Sequence, residues 1–221
     1  MNASSSVLKI DLFASFFLIV DLGLPTLLAR DGGRAPELVP TAIWRIYRLQ
    51  LIVCIPFIAL AILLNPAEWI NLNPPSLVVL FAGLIALVHV ASYTPRSGLR
   101  VLGEARMEAA TKVVERLITT LGYLALYFIG STSVVAFTFV FFVGASIGWL
   151  LALALVMFRA PASTVHEDWT SLDPSWASNK SLLYAALPFA ITLGVLPYVV
   201  RIEKFMVAGS QGSEVAAVFH V

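Results

Sequence analysis

Residues Leu117 to Phe158 read LITTLGYLALYFIGSTSVVAFTFVFFVGASIGWLLALALVMF, without one charged side chain. A helix rises about 1.5 Å per residue, and about 20 apolar residues cover the hydrocarbon core of a bilayer. The run is therefore roughly twice too long for a single crossing. Gly130-Ser131-Thr132-Ser133 supplies a turn near a third of its length. The stretch thus reads as two membrane-crossing helices, about Ala109 to Ile129 and Val134 to Phe158.

Four more apolar runs follow the same rule. They extend from about Val7 to Ala29, Ala42 to Leu64, Ser76 to Tyr93 and Leu182 to Val200, the last interrupted by Pro188 and Pro197. The expected fold class is an all-α polytopic membrane protein of about six transmembrane helices. The composition agrees: 59% of the residues are hydrophobic and 12% charged, unlike an ordinary soluble domain.

Orientation follows from the basic residues. Most fall into three clusters: Arg30/Arg34/Arg45/Arg48, Arg96/Arg100/Arg106/Lys112/Arg116 and Arg159/Lys180. The connections Asn65 to Pro75 and Gly130 to Ser133 hold no Lys or Arg. By the positive-inside rule the clusters are cytoplasmic and both chain ends external. The protein is expected in the plasma (inner) membrane, with the lipid bilayer as its solvent. Trp69 suits the outer headgroup level, and Trp44 and Tyr47 the inner one. No signal peptide is read at Met1 to Lys9. Pro161 to Lys180 is polar, and it divides the chain at 1–160, 161–180 and 181–221. Asp173-Pro174 there could open a short interfacial helix or belong to a plain cytoplasmic linker.

Several function classes lose support. No stretch reads as nucleic-acid binding. His89, His166 and His220 are scattered, and no metal-ligand or acid–base spacing appears. No catalytic residue, metal or cofactor is expected. Cys54 reads as a small buried hydrophobe.

The polar residues in or beside the spans are the candidate site. Asp21 is costly in lipid, so it either faces a transport path, pairs with a nearby Arg, or caps a helix distorted at Gly23 and Pro25. Arg45 and Arg48 share one face of a helix, and Arg116 follows Lys112 on another. They either snorkel to the inner interface or form a basic vestibule for an anionic headgroup. Arg201, Glu203 and Lys204 close the last span as an outer ion pair or as a polar kink in a gating helix. Gly144 and Gly148 form a GxxxG that admits close helix approach.

Four stretches are similar to one known family. Asp21-Leu22-Gly23-Leu24-Pro25-Thr26-Leu27-Leu28-Ala29-Arg30 resembles the end of the second transmembrane helix of polysaccharide-exporter flippases. These belong to the multidrug/oligosaccharidyl-lipid/polysaccharide exporter superfamily. Gly103-Glu104-Ala105-Arg106 through Glu115-Arg116-Leu117 resembles their loop before the fifth helix. Leu187-Pro188-Phe189-Ala190 through Arg201-Ile202-Glu203-Lys204-Phe205-Met206 resembles their seventh helix, and Gly212-Ser213-Glu214-Val215-Ala216 the lead-in to the eighth. The family usually carries Asp where Glu203 stands, and often Gly followed by Tyr near Val218-Phe219.

The resemblance implies the second to sixth helices of a first lobe, then the first helix of a second, truncated lobe. It implies alternating access without covalent chemistry, and a polyprenyl-diphosphate-linked oligosaccharide as partner, together with the missing lobe. Translocation would involve Asp21, Arg45, Arg48, Arg116, Arg201, Glu203 and Lys204. A drug exporter of the same superfamily, a membrane-embedded glycan-assembly enzyme and a fragment inactive alone are the other readings.

Overall fold

The computed structural model describes residues 21–64, 74–161 and 168–192. Every regular element among them is helical. Helix α1 is Leu24–Asp31, followed by 3-10 turns at Gly32–Arg34 and Pro36–Leu38. Helix α2 is Val39–Leu64, α3 is Pro74–Val101, α4 is Ala105–Phe128 and α5 is Val134–Arg159. Two 3-10 turns, Trp169–Ser171 and Pro174–Trp176, lead to α6, described over residues 179–192. Among the described residues two segments, Pro36–Ile55 and Val134–Arg159, are long and apolar enough to cross a membrane, with mean hydropathies of 1.4 and 2.4.

Chain breaks are made locally. At Gly130 (φ 73°) the amide bonds Tyr127 O at 3.0 Å and the next amide, Ser131, bonds Leu126 O at 3.0 Å. At Gly103 (φ 77°) the same pair of bonds reaches Arg100 O and, from Glu104, Leu99 O. Both are left-handed helix stops that glycine adopts without a Cβ penalty. Ser133 then caps α5 by accepting from Ala136 N at 3.4 Å.

Three expectations change. The first run does not continue as one helix through Asp21: Leu22 and Gly23 have φ of 54° and 65°, and the chain turns before α1. Pro25 then stands within the first turn of α1, where its missing N–H costs nothing. The third helix does not stop near Tyr93 but passes through Pro95 to Val101. Pro95 cannot donate to Ala91 O, yet Tyr47 Oη of α2 donates to that carbonyl at 2.9 Å. Tyr47 is therefore turned into the bundle and not toward headgroups, while Trp44 is 51% exposed.

The third change concerns the polar segment. Residues 168–178 dock on α1 and α2 with Leu172 and Trp176 fully buried. Removing a buried tryptophan side chain costs about 3–5 kcal/mol, so this contact anchors the segment. Asp173 caps a 3-10 turn by accepting from Ser175 N at 3.0 Å. Ser178 caps α6 by accepting from Ser181 N at 3.0 Å. Residues 162–167 lie outside the described ones.

The core sits at one end of the bundle, where Leu24, Leu28, Val39, Ile43, Leu99 and Val156 meet Trp176 and Leu182. A Cβ on Gly98 would stand 3.1 Å from Ile43 Cδ1 and 3.2 Å from Val39 Cγ1. The start of α2 thus lies beside the end of α3. Helix α6 crosses Gly23 so closely that a Cβ there would stand 2.7 Å from Ala190 N. The GxxxG of α5 faces α4: a Cβ on Gly148 would stand 2.8 Å from Glu115 Cβ, and one on Gly144 would strike Thr119 Oγ1.

Candidate functional site

Thr41, Trp44, Arg45, Arg48, Leu49 and Ile52 recur along α2 at helical spacing and so share one face. That face borders a cavity of about 520 Å³. Trp169 and Asn179 close its other side from the docked segment and the first turn of α6. Among the described residues, two arginines and no carboxylate line it.

Arg45 is held on three sides. Its Nε donates to Asn179 Oδ1 at 2.9 Å, and its Nη1 donates to the Trp176 carbonyl at 2.7 Å. Its guanidinium carbon stands 4.8 Å from the Trp169 ring centre, a cation–π distance. Trp169 in turn stacks on the buried Trp176, with centroids 6.3 Å apart. Every partner of Arg45 among the described residues is neutral. Arg48, one turn on, is exposed at the cavity.

The other arginines with side-chain partners meet carboxylates. Arg30 grips Asp31 through Nε and Nη2 at 2.6 and 2.9 Å. The same Asp31 accepts from Trp176 Nε1 at 2.9 Å, which pins the docked segment to α1. Arg34 reaches Asp173 at 2.8 Å. The amide of Ser175 first, and Arg34 with it, hold the Asp173 carboxyl below its ordinary range. Arg96 of α3 pairs with Glu115 of α4 at 2.5 Å, both buried. Arg100 grips Glu108 at 2.7 and 2.9 Å, and Lys112 joins at 2.8 Å. The Arg100 bond is the main cause that lowers the Glu108 pKa; burial opposes it and the Lys112 bond adds to it.

The candidate residues therefore separate. Arg45 and Arg48 come together at the cavity. Arg116 is exposed on α4 and is not among the described residues that line that cavity. Asp21 is 5% exposed, and its Oδ1 has no hydrogen-bond partner among the described residues. Its backbone carbonyl accepts from Leu24 N at 3.3 Å and from Gln50 Nε2 at 3.5 Å. Arg201, Glu203 and Lys204 lie outside the described residues. His89 packs against Phe141 with centroids 5.7 Å apart and the rings tilted by 60°. No group of three His, Cys, Asp or Glu among the described residues is placed to hold a metal.

Trp169, Trp176 and Asn179 escape a reading by hydropathy, because they belong to a stretch too polar to count as a span. Two tryptophans in such a stretch were the available signal, since their ring area favours burial.

The chain matches no family model, no curated protein and no solved structure.

Proposed function

We propose that this chain is a multi-pass plasma-membrane protein and part of a flippase for a polyprenyl-diphosphate-linked oligosaccharide, working by alternating access. The Arg45–Arg48 cavity is the entry point for the diphosphate headgroup on the cytoplasmic side. The observation that carries the reading is the cavity's charge: two guanidinium groups and no carboxylate among the described residues, with room of about 520 Å³. Guanidinium donates in parallel pairs, which suits phosphate oxygens.

Two further features support it. The outward faces of α4 and α5 carry exposed Leu117, Leu121, Leu124, Phe139, Leu150 and Phe158, as lipid contact requires. The basic clusters and resemblance point to a cytoplasmic position for the Arg45 end of the bundle. The chemistry is transport: the headgroup is bound and released, and no bond is made or broken.

The test is substitution in the host's own gene. Arg45→Lys with Arg48→Lys keeps both charges but removes the paired donors. Surface glycan should fall and its lipid-linked precursor accumulate, at unchanged protein level, while Arg116→Lys leaves both at wild-type amounts. Normal export by the Arg45→Lys/Arg48→Lys variant removes the binding role and leaves these residues as helix anchors.

A further inference from the structure

Arg30, Arg34, Arg96 and Arg100 each meet a carboxylate, at 2.6, 2.8, 2.5 and 2.7 Å. Arg45 is as firmly held, yet its acceptors are an amide oxygen and a main-chain carbonyl. A carboxylate would fix the same guanidinium more strongly, because charge-assisted bonds are about twice as strong as neutral ones. It would also cancel the positive charge that the cavity presents. A neutral acceptor orients the side chain and leaves the charge in place.

Asn179 has the geometry for this role. It stands in the first turn of α6, held by the Ser178 cap, and it lines the cavity beside Arg45. Its amide oxygen engages Nε at 2.9 Å, while the Trp176 carbonyl engages Nη1 at 2.7 Å. Trp169 covers the guanidinium from one side. With Nε and one Nη1 hydrogen occupied, the Nη2 hydrogens have no protein acceptor among the described residues.

We propose that Asn179 is a positioning and selectivity residue of the Arg45 cavity: it aims the guanidinium while keeping it un-neutralised, so that the cavity takes a diphosphate. The inference rests on the reading of this cavity as a diphosphate site. The first segment of α6 thereby completes a site built mostly on α2, and the docked tryptophans hold the two together.

The experiment uses the whole chain in nanodiscs of zwitterionic lipid, with inorganic diphosphate as the probe followed by calorimetry. Matched discs containing polyprenyl diphosphate or phosphatidylglycerol show which membrane source of phosphate competes. Asn179→Asp should weaken diphosphate binding about tenfold or more, because a carboxylate then competes for the guanidinium. Its thermal transition should stay the same or rise, since the new pair is an ion pair. Asn179→Ala should weaken binding about threefold through lost orientation. On an Arg45→Gln background Asn179→Ala should leave the residual affinity unchanged, and Asn179→Asp should lower it less than in the wild type.

A role in structure alone forecasts the same steady fold for Asn179→Asp but undiminished binding. Wild-type affinity in that variant overturns the inference while leaving the cavity's diphosphate role intact. The same holds if Asn179→Ala acts equally with and without Arg45. A wild-type chain that binds no diphosphate in any disc overturns the cavity reading, and this inference with it. Competition by phosphatidylglycerol discs alone assigns the site to bulk headgroups and overturns both.

Discussion

The hydroxyl of Tyr47 stands 2.9 Å from the carbonyl oxygen of Ala91, the acceptor that Pro95 leaves without its helical donor. The same hydroxyl accepts from Trp149 Nε1 at 2.9 Å. One side chain of α2 thus repairs a break in α3 and satisfies an indole of α5. Orphaned backbone acceptors are costly wherever water is excluded.

Tyr47→Phe keeps the ring but strands both the Ala91 carbonyl and the Trp149 N–H. The expected loss is about 1–3 kcal/mol, the cost of leaving buried polar groups unpaired. Reversible unfolding in mixed micelles measures it. Pro95→Ala restores a backbone donor to Ala91, so the loss from Tyr47→Phe should shrink in that background. Strict additivity of the two changes would mean that the hydroxyl does not stand in for the missing N–H.

The Arg96–Glu115 pair lies where α5 presses Gly148 against α4. Glu115→Leu leaves Arg96 charged and buried without its partner, and the expected cost is about 3–5 kcal/mol. Arg96→Met together with Glu115→Leu should cost less than Glu115→Leu alone, because no charge is left behind. Gly148→Ala drives a methyl to 2.8 Å from Glu115 Cβ, and overpacking of that kind costs about 1–3 kcal/mol. The same unfolding assay reads all three, and an unaffected Gly148→Ala would show that α4 and α5 separate easily.

Hydropathy reports how far a segment can stay in lipid, so α2, α4 and α5 were legible almost to their ends. The length of α3 was not. Whether Pro95 stops a helix depends on a donor from Tyr47, which is distant in sequence. Periodicity put Arg45 and Arg48 on one face, and the cavity bears them both. It could not say that Arg116 faces elsewhere, because the facing of α4 is set by Gly144 and Gly148 on its neighbour. The positive clusters carry an expected sidedness but concealed their neutralisation. Glu108 and Glu115 are too far from Arg100 and Arg96 in sequence for spacing to pair them.

Acid should loosen the turn between α3 and α4. Arg100 first, and Lys112 with it, hold the Glu108 carboxyl below its ordinary value of 4.5. A carboxylate whose folded pKa is depressed contributes stability that is complete above the unfolded value. That contribution is lost as pH falls through the depressed value. Unfolding measured from neutral pH downward should therefore show a fall in stability starting near the ordinary glutamate range. Glu108→Gln should be less stable at neutral pH and lose that part of the slope. An unchanged slope in Glu108→Gln would assign the acid sensitivity to other carboxylates.

Sidedness decides whether the Arg45 cavity can meet a cytoplasmic lipid headgroup. Gly98 at the end of α3 touches Val39 and Ile43, so the α3–α4 turn and the Arg45 cavity share one end of the bundle. The α4–α5 turn at Gly130 to Ser133 lies at the other end of α4. Both Arg106 and Thr132 are exposed, and neither carries an ion pair among the described residues. In a Cys54→Ala background, single cysteines at these two positions can be offered a membrane-impermeant thiol reagent on intact cells. The positive-inside rule forecasts labelling of Thr132→Cys and none of Arg106→Cys until the membrane is opened. The reverse pattern would put the Arg45 cavity on the outside, where a diphosphate would leave the protein and not enter it. Labelling of both from outside would mean that α4 does not cross the membrane, and the flippase reading would fall with its topology.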